Sequence, residues 1–184
     1  MASRHFTILC FLLFSLAYAQ PKNPNPNPNP LIQQECNRTT APTACLQCLE
    51  PDPDSRAADR AGLATVLVKC VVARSKSLLA AMSPLGQGFL AKRDKVGVTV
   101  FLVCNVAIDG MALELPDAVG FLAKGDYQGA NGVVQGALKY QDACLFLAKS
   151  RGRVSQLFAP SLLDEVAANV ALSEAFSQIV GMPA

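Results

Sequence analysis
The chain has 184 residues, 51% of them apolar and 16% charged, with a formal net charge of +2. So large an apolar fraction excludes disorder throughout, and so even a charge balance excludes the electrostatic footprint of a nucleic-acid binder or a polybasic membrane patch. The length admits one domain, or two small ones.

Met1–Ala19 reads as a secretory signal peptide: Arg4 supplies the positive start, Phe6 to Leu16 an apolar run, and Ala17-Tyr18-Ala19 a small-x-small cleavage site. The run is too short to span a bilayer, which takes roughly 20 apolar residues. The mature chain is therefore expected to begin at Gln20, outside the cell. His5 is the only histidine and leaves with the leader. Ser-His-Asp and Cys-His catalysis, His-ligated zinc and the usual proton shuttle near neutral pH leave with it. Residues 20–30 follow as an Asn/Pro-rich tether, since the alternating prolines of Pro21–Pro30 forbid both a helix and a paired strand.

From Leu31 the pattern is helical. Short pieces over Leu31–Cys36 and Pro42–Leu49 flank a turn, and Pro51-Asp52-Pro53-Asp54 breaks the chain after them. A long helix is predicted from an N-cap at Asp54 or Ser55 to Met82, with Ser83-Pro84 as its stop and Leu63, Leu67, Val71, Leu78 and Met82 on its apolar face. Residues 86–94 read as a polar connection. The next helix runs from about Lys95 to Lys124 with Pro116 inside it, where a kink is expected. Its apolar stretch Val96–Ile108 ends at Asp109-Gly110, which fits a buried bundle helix better than a membrane span.

Gly125-Asp126 is a stop followed by a cap. The third long helix, about Tyr127–Lys149, spaces Ala130, Val134, Ala137, Gln141, Cys144 and Ala148 along one face, small enough for close helix approach. The last begins at Pro160-Ser161-x-x-Asp164, a capping-box-like entry, and offers Leu162, Val166, Val170, Phe176 and Val180 to the core. No useful strand alternation occurs. Four main helices and a small N-terminal hairpin predict an all-α bundle.

Seven cysteines less Cys10 leave six: Cys36, Cys45, Cys48, Cys70, Cys104 and Cys144. An even number in an exported chain argues for disulfides without fixing the pairing. Cys36 and Cys45 are placed to close the hairpin turn. If the helices around Gly125 are antiparallel, Cys104 and Cys144 lie at similar heights, and a bridge there contributes roughly 3–4 kcal/mol in the chain-entropy account. For Cys48 and Cys70 two readings stay open, a third bridge or buried free thiols. Asn37-Arg38-Thr39 is an N-glycosylation sequon, with Asn37 as acceptor beside Cys36.

Several of these residues together resemble the plant invertase / pectin methylesterase inhibitor family. They are Cys36 and Cys45 after a leader, Asp52-Pro53 before Ser55-x-x-x-Asp59-x-x-Gly62-Leu63-Ala64, then Cys104, Ala123-Lys124-Gly125-Asp126-Tyr127, Ala130-Asn131, Ala137-Leu138 and Cys144. The likeness runs from about Leu31 to Val180, so residues 31–184 are expected to form one inhibitor domain. It implies a four-helix up-and-down bundle with an N-terminal helical hairpin, and disulfides Cys36–Cys45 and Cys104–Cys144. It also implies one-to-one binding that covers the substrate cleft of a cell-wall carbohydrate-active enzyme, pectin methylesterase or, alternatively, acid invertase (beta-fructofuranosidase).

Invertase inhibitors resembling this chain carry Pro-Lys-Phe directly after the Gly-Asp turn, where Tyr127-Gln128-Gly129 stands here. Esterase inhibitors often have Thr-Asp at the positions of Lys139-Tyr140, and an aromatic at Ile108. An inhibitor needs a rigid surface rather than a reactive group, so no enzyme activity, cofactor or metal is expected. Asp109, Glu114, Asp117 and Asp126 read as helix-face and capping groups. The exposed faces of the second and third bundle helices are the expected contact surface, with Lys139, Tyr140 and Asp142 as partner-binding candidates. A cell-wall interaction protein without inhibitory activity is the reading from another class.

Overall fold
The computed structural model describes residues 29–150 and 160–181, so the leader and nearly all of the tether lie outside the described residues. The tether's last two residues already belong to the fold. Asn29 caps α1 (Pro30–Cys36) by accepting from the Leu31 N–H at 3.1 Å, and its amide donates to the Ser55 and Ala58 carbonyls at 2.9 and 3.0 Å. Proline at the first helical position of α1 and of α2 (Pro42–Leu49) sacrifices no intrahelical donor. Cys36–Cys45 joins the two, with Cα atoms 5.5 Å apart. Glu35, fully buried, accepts from Arg60 Nη2 at 2.9 Å and Nε at 3.2 Å, which ties this hairpin to the first long helix.

That helix does not start at Asp54 or Ser55. Residues Pro53–Ala57 form a 3-10 turn, and α3 spans Arg60–Ala91 with Asp59 accepting from the Gly62 N–H at 2.8 Å. The Ser55 carbonyl is taken by Asn29 and the Ala58 N–H, so an α-helical ladder cannot propagate through it. Nor does α3 end at Pro84. Beyond the proline, the Phe101 ring lies against Gly86, and the Phe89 ring against Gly97 of the next helix, so closely that a Cβ on either glycine would stand under 3 Å from the ring. Packing of this kind outweighs the roughly 3 kcal/mol that proline costs a helix interior. The connection shrinks to Lys92, Arg93 and Asp94, with Arg93 in the left-handed region (φ 54°).

Asp94 opens α4 (Lys95–Leu122) by accepting from Val96 and Gly97 N–H groups, and α4 continues through Pro116. Gly125 has φ +72°, the Asp126 N–H closes back on the Phe121 carbonyl at 3.0 Å, and Asp126 accepts from the Gly129 N–H at 2.8 Å. A glycine stop and an aspartate cap thus separate α4 from α5 (Tyr127–Ser150). The last helix, α6, spans Pro160–Gly181.

The described residues contain six α-helices and no strand. Each long helix packs on its chain neighbours, and α6 closes the ring on α3. Cross-helix pairs fix antiparallel directions: Phe101 on Gly86 and Phe89 on Gly97 for α3 and α4, Tyr140 on Glu114 and Cys144 on Cys104 for α4 and α5; for α3 and α6, Val71 shares a core with Leu172 and Leu78 with Val166. Two apolar cores result. The first, at the hairpin end, holds Leu49, Leu63, Leu67, Leu115, Leu172 and Phe176; the second holds Leu78, Met82, Phe89, Val100, Ile108 and Val166. Of the residues offered to the core from the last helix, Val170 is half-buried while Leu162, Val166, Phe176 and Val180 are buried. The side chain of Ala148 lies outside the described ones.

Candidate interaction surface
Helix α4 is apolar on more than one face. It is the one described helix long and apolar enough to cross a membrane, and only 39% of its most apolar stretch is buried. Leu102, Val106 and Leu113 are 53%, 68% and 71% exposed. Here the sequence reading needs correction, because the Val96–Ile108 stretch is not wholly a core element. A helix apolar all round does not reveal which apolar residues turn outward. Leu102, Val103, Val106 and Ala107 line a shallow groove with Lys139, Tyr140 and Ala143 of α5, and its walls are almost entirely apolar. Exposed contiguous apolar surface of this sort marks an interaction site more often than a bare solvent face.

Cross-linking holds the groove's two walls together. Cys104 and Cys144 are bonded, both 1% exposed, with Cα atoms 4.6 Å apart. On the rim, the exposed Tyr140 hydroxyl donates to Glu114 Oε1 at 3.0 Å. That hydrogen bond, and the carboxylate's charge behind it, raise the phenol above its ordinary value of 10.0. Lys139 is the charged residue among those that line the groove.

The three candidate residues divide. Lys139 and Tyr140 stand together at the groove, whereas Asp142 is exposed but not among its lining. Ile108 is fully buried in the second core, so the missing aromatic at that position is a matter of packing rather than contact. Asn37 is exposed just beyond α1, leaving its amide accessible. Cys48 and Cys70 are bonded, with Cα atoms 5.8 Å apart, which joins the hairpin to α3. Sequence reasoning missed the groove residues on α4, whose only signal was an apolar run longer than one buried face requires.

A second concavity between α3 and α6 is lined by Arg74, Ser77, Ala81 and Glu165, and its charges pair at 2.7 Å. No group of His, Cys, Asp and Glu among the described residues is arranged to hold a metal. After the Gly125-Asp126 turn, Gly129 is closed in: a Cβ there would stand 2.5 Å from the Phe121 ring and 2.6 Å from Asp126 Oδ2.

A bundle of long helices with an N-terminal hairpin, stapled by three disulfides and presenting an apolar groove, is the build of a protein-binding scaffold. Residues 30–179 match the plant invertase/pectin methylesterase inhibitor family, and the chain belongs to that family. Among solved structures it is similar to the crystal structure of mutant form A of a pectin methylesterase inhibitor from Arabidopsis. The TM-score is 0.66 at 24% identity, over 81% of this chain and 94% of that one. At that identity the likeness establishes the fold. No curated protein sequence matches.

Proposed function
We propose that this chain is a secreted inhibitor of a plant cell-wall carbohydrate-active enzyme, with pectin methylesterase as its target, acting by one-to-one occlusion of the substrate cleft. The observation that carries this reading is the exposed apolar groove of α4 and α5, with Tyr140 and Lys139 on its rim. An apolar centre bordered by a tyrosine is the make-up of a protein-protein hot spot. The chain contributes no catalysis. Its leader, residues 1–19, directs it to the apoplast, and the Asn/Pro tether precedes one inhibitor domain.

Gly129 supports esterase over invertase. The third position of the Pro-Lys-Phe segment falls where a Cβ would meet the Phe121 ring and the Asp126 carboxylate, so an aromatic hook would have to push both side chains aside and disturb the cap of α5. The test is a parallel titration of a plant pectin methylesterase and an acid invertase with the oxidised mature protein. Esterase inhibition at near-stoichiometric protein, with invertase untouched, is expected. Inhibition of invertase alone would move the target. Silence against both from a folded protein would place the chain among non-inhibitory cell-wall interaction proteins.

A further inference from the structure
All four long helices change core at one level. Helix α3 passes from Val71 in the first core to Leu78 in the second across Ser75; α5 goes from Ala137 to Cys144 across Gln141; α6 goes from Leu172 to Val166 across Asn169. In α4 the change falls between Met111 and Ile108, and Gln141 Nε2 donates to the Met111 sulfur. Asn169 Nδ2 donates to Ser75 Oγ at 3.4 Å. Ser75, Gln141 and Asn169 are each at most 1% exposed. Together they make a polar layer across the bundle, and it is incompletely satisfied: Gln141 Oε1 and Asn169 Oδ1 are buried without a donor. Half-satisfied buried polar groups weaken the coupling between the apolar clusters they separate.

The disulfides follow the same division. Cys36–Cys45 and Cys48–Cys70 belong to the first core, Cys104–Cys144 to the second. The last bridge also lies within the groove's walls, since Cys104 sits between the lining residues Val103 and Ala107, and Cys144 adjoins Ala143.

We propose that the bundle is two cooperative units divided at this polar layer, and that Cys104–Cys144 is a redox lock on the unit that carries the groove. Reduction by a dithiol transfers two electrons and two protons. The sulfur–sulfur bond breaks, Cys104 and Cys144 become thiols, and the reductant closes its own disulfide. With both sulfurs buried, attack waits on opening of the second unit, which the polar layer allows while the hairpin unit stays folded. Unlocked, α4 and α5 lose the constraint that sets the groove's width, and docking fails. The functional half of this inference rests on the groove being the docking surface; the two-unit half does not.

Peptide-level hydrogen exchange tests the division, using the oxidised mature protein and its Cys104→Ser/Cys144→Ser variant, in which the other two bridges remain. In the variant, residues 78–108 and 139–147 should exchange faster by about tenfold or more, with 60–71 and 172–180 still protected. An equal rise in every segment, or no rise, overturns the two-unit claim. In the wild type, replacing both Gln141 and Asn169 by leucine should shrink the difference between the units; an undiminished difference shows that the layer is not the divider. For the lock, dithiothreitol treatment is followed by thiol labelling and esterase inhibition. Loss of inhibition should track labelling of Cys104 and Cys144, whereas full labelling with inhibition intact overturns it. If exchange splits as expected but the oxidised protein inhibits no esterase, the docking reading fails and the division stands.

Discussion

Replacing Gly97 by alanine puts a methyl group where the Phe89 ring already sits. The added Cβ would lie 2.7 and 2.8 Å from ring atoms Cδ1 and Cγ, and 2.9 Å from Asp94 Oδ2. These are the root of the ring and not its tip, and Phe89 is only 6% exposed, so the ring cannot swing clear. Overpacking of this kind costs about 1–3 kcal/mol. Asp94 also caps α4 through the Val96 and Gly97 N–H groups, and disturbing a cap costs about 1 kcal/mol more. The helix-propensity gain is small in a first turn, so a net loss of about 2–3 kcal/mol is expected. Gly110 is the control: it lies inside α4 with nothing within 4 Å of an added Cβ, so Gly110→Ala should stabilise by up to about 1 kcal/mol. Guanidinium unfolding by circular dichroism, with the disulfides intact, reads both. Equal midpoints for the two variants would refute the claim that reciprocal Gly–Phe packing carries α3 beyond Pro84.

Arg60→Met should cost roughly 3 kcal/mol, because it strands the buried Glu35 carboxylate, with Arg38 left 3.9 Å away as a weak substitute. Hydrogen exchange should place the loss in the hairpin, and a loss confined to the groove end would contradict it. Tyr140 should titrate above 10.0 by ultraviolet absorbance, and Glu114→Gln should return it toward that value. Its native-state value is raised, so the stabilisation it lends is fully present below pH 10.0 and is lost as pH climbs through the raised value. Lys69, raised above 10.5 by its hydrogen bond to Asp54, acts in the same direction. A Tyr140 titration indifferent to Glu114→Gln would show the contact absent in solution.

What the sequence disclosed was mostly local. Gly125-Asp126 announces its stop and cap because both act within one turn, and the faces of α5 and α6 follow from 3–4 spacing. The errors lie where distant residues overrule local signals. Ser83-Pro84 is an adequate stop unless the next helix supplies packing beyond it, as Phe101 does against Gly86 and Gly97 does beneath Phe89. The start of α3 moves from Asp54/Ser55 to Arg60 because Asn29 takes the Ser55 carbonyl from across the hairpin. The candidate surface was half visible: Lys139 and Tyr140 were accessible to reasoning as polar residues on α5, while Leu102 and Val106 hid inside a run that reads as core. The polar layer escaped for the opposite reason, since Ser75 and Asn169 look like surface residues until the ring closes over them.

The most direct measurement is a titration of plant pectin methylesterase with the oxidised mature protein, alongside Val106→Asp. Val106 is 68% exposed, so the change leaves the core untouched, yet it sets a charge into the apolar groove. Near-stoichiometric inhibition by the wild type is expected, weakened at least about a hundredfold in the variant, because an unpaired charge enters a desolvated hot spot. Equal inhibition by the two proteins would contradict the assignment of the α4–α5 groove as the surface that meets the enzyme.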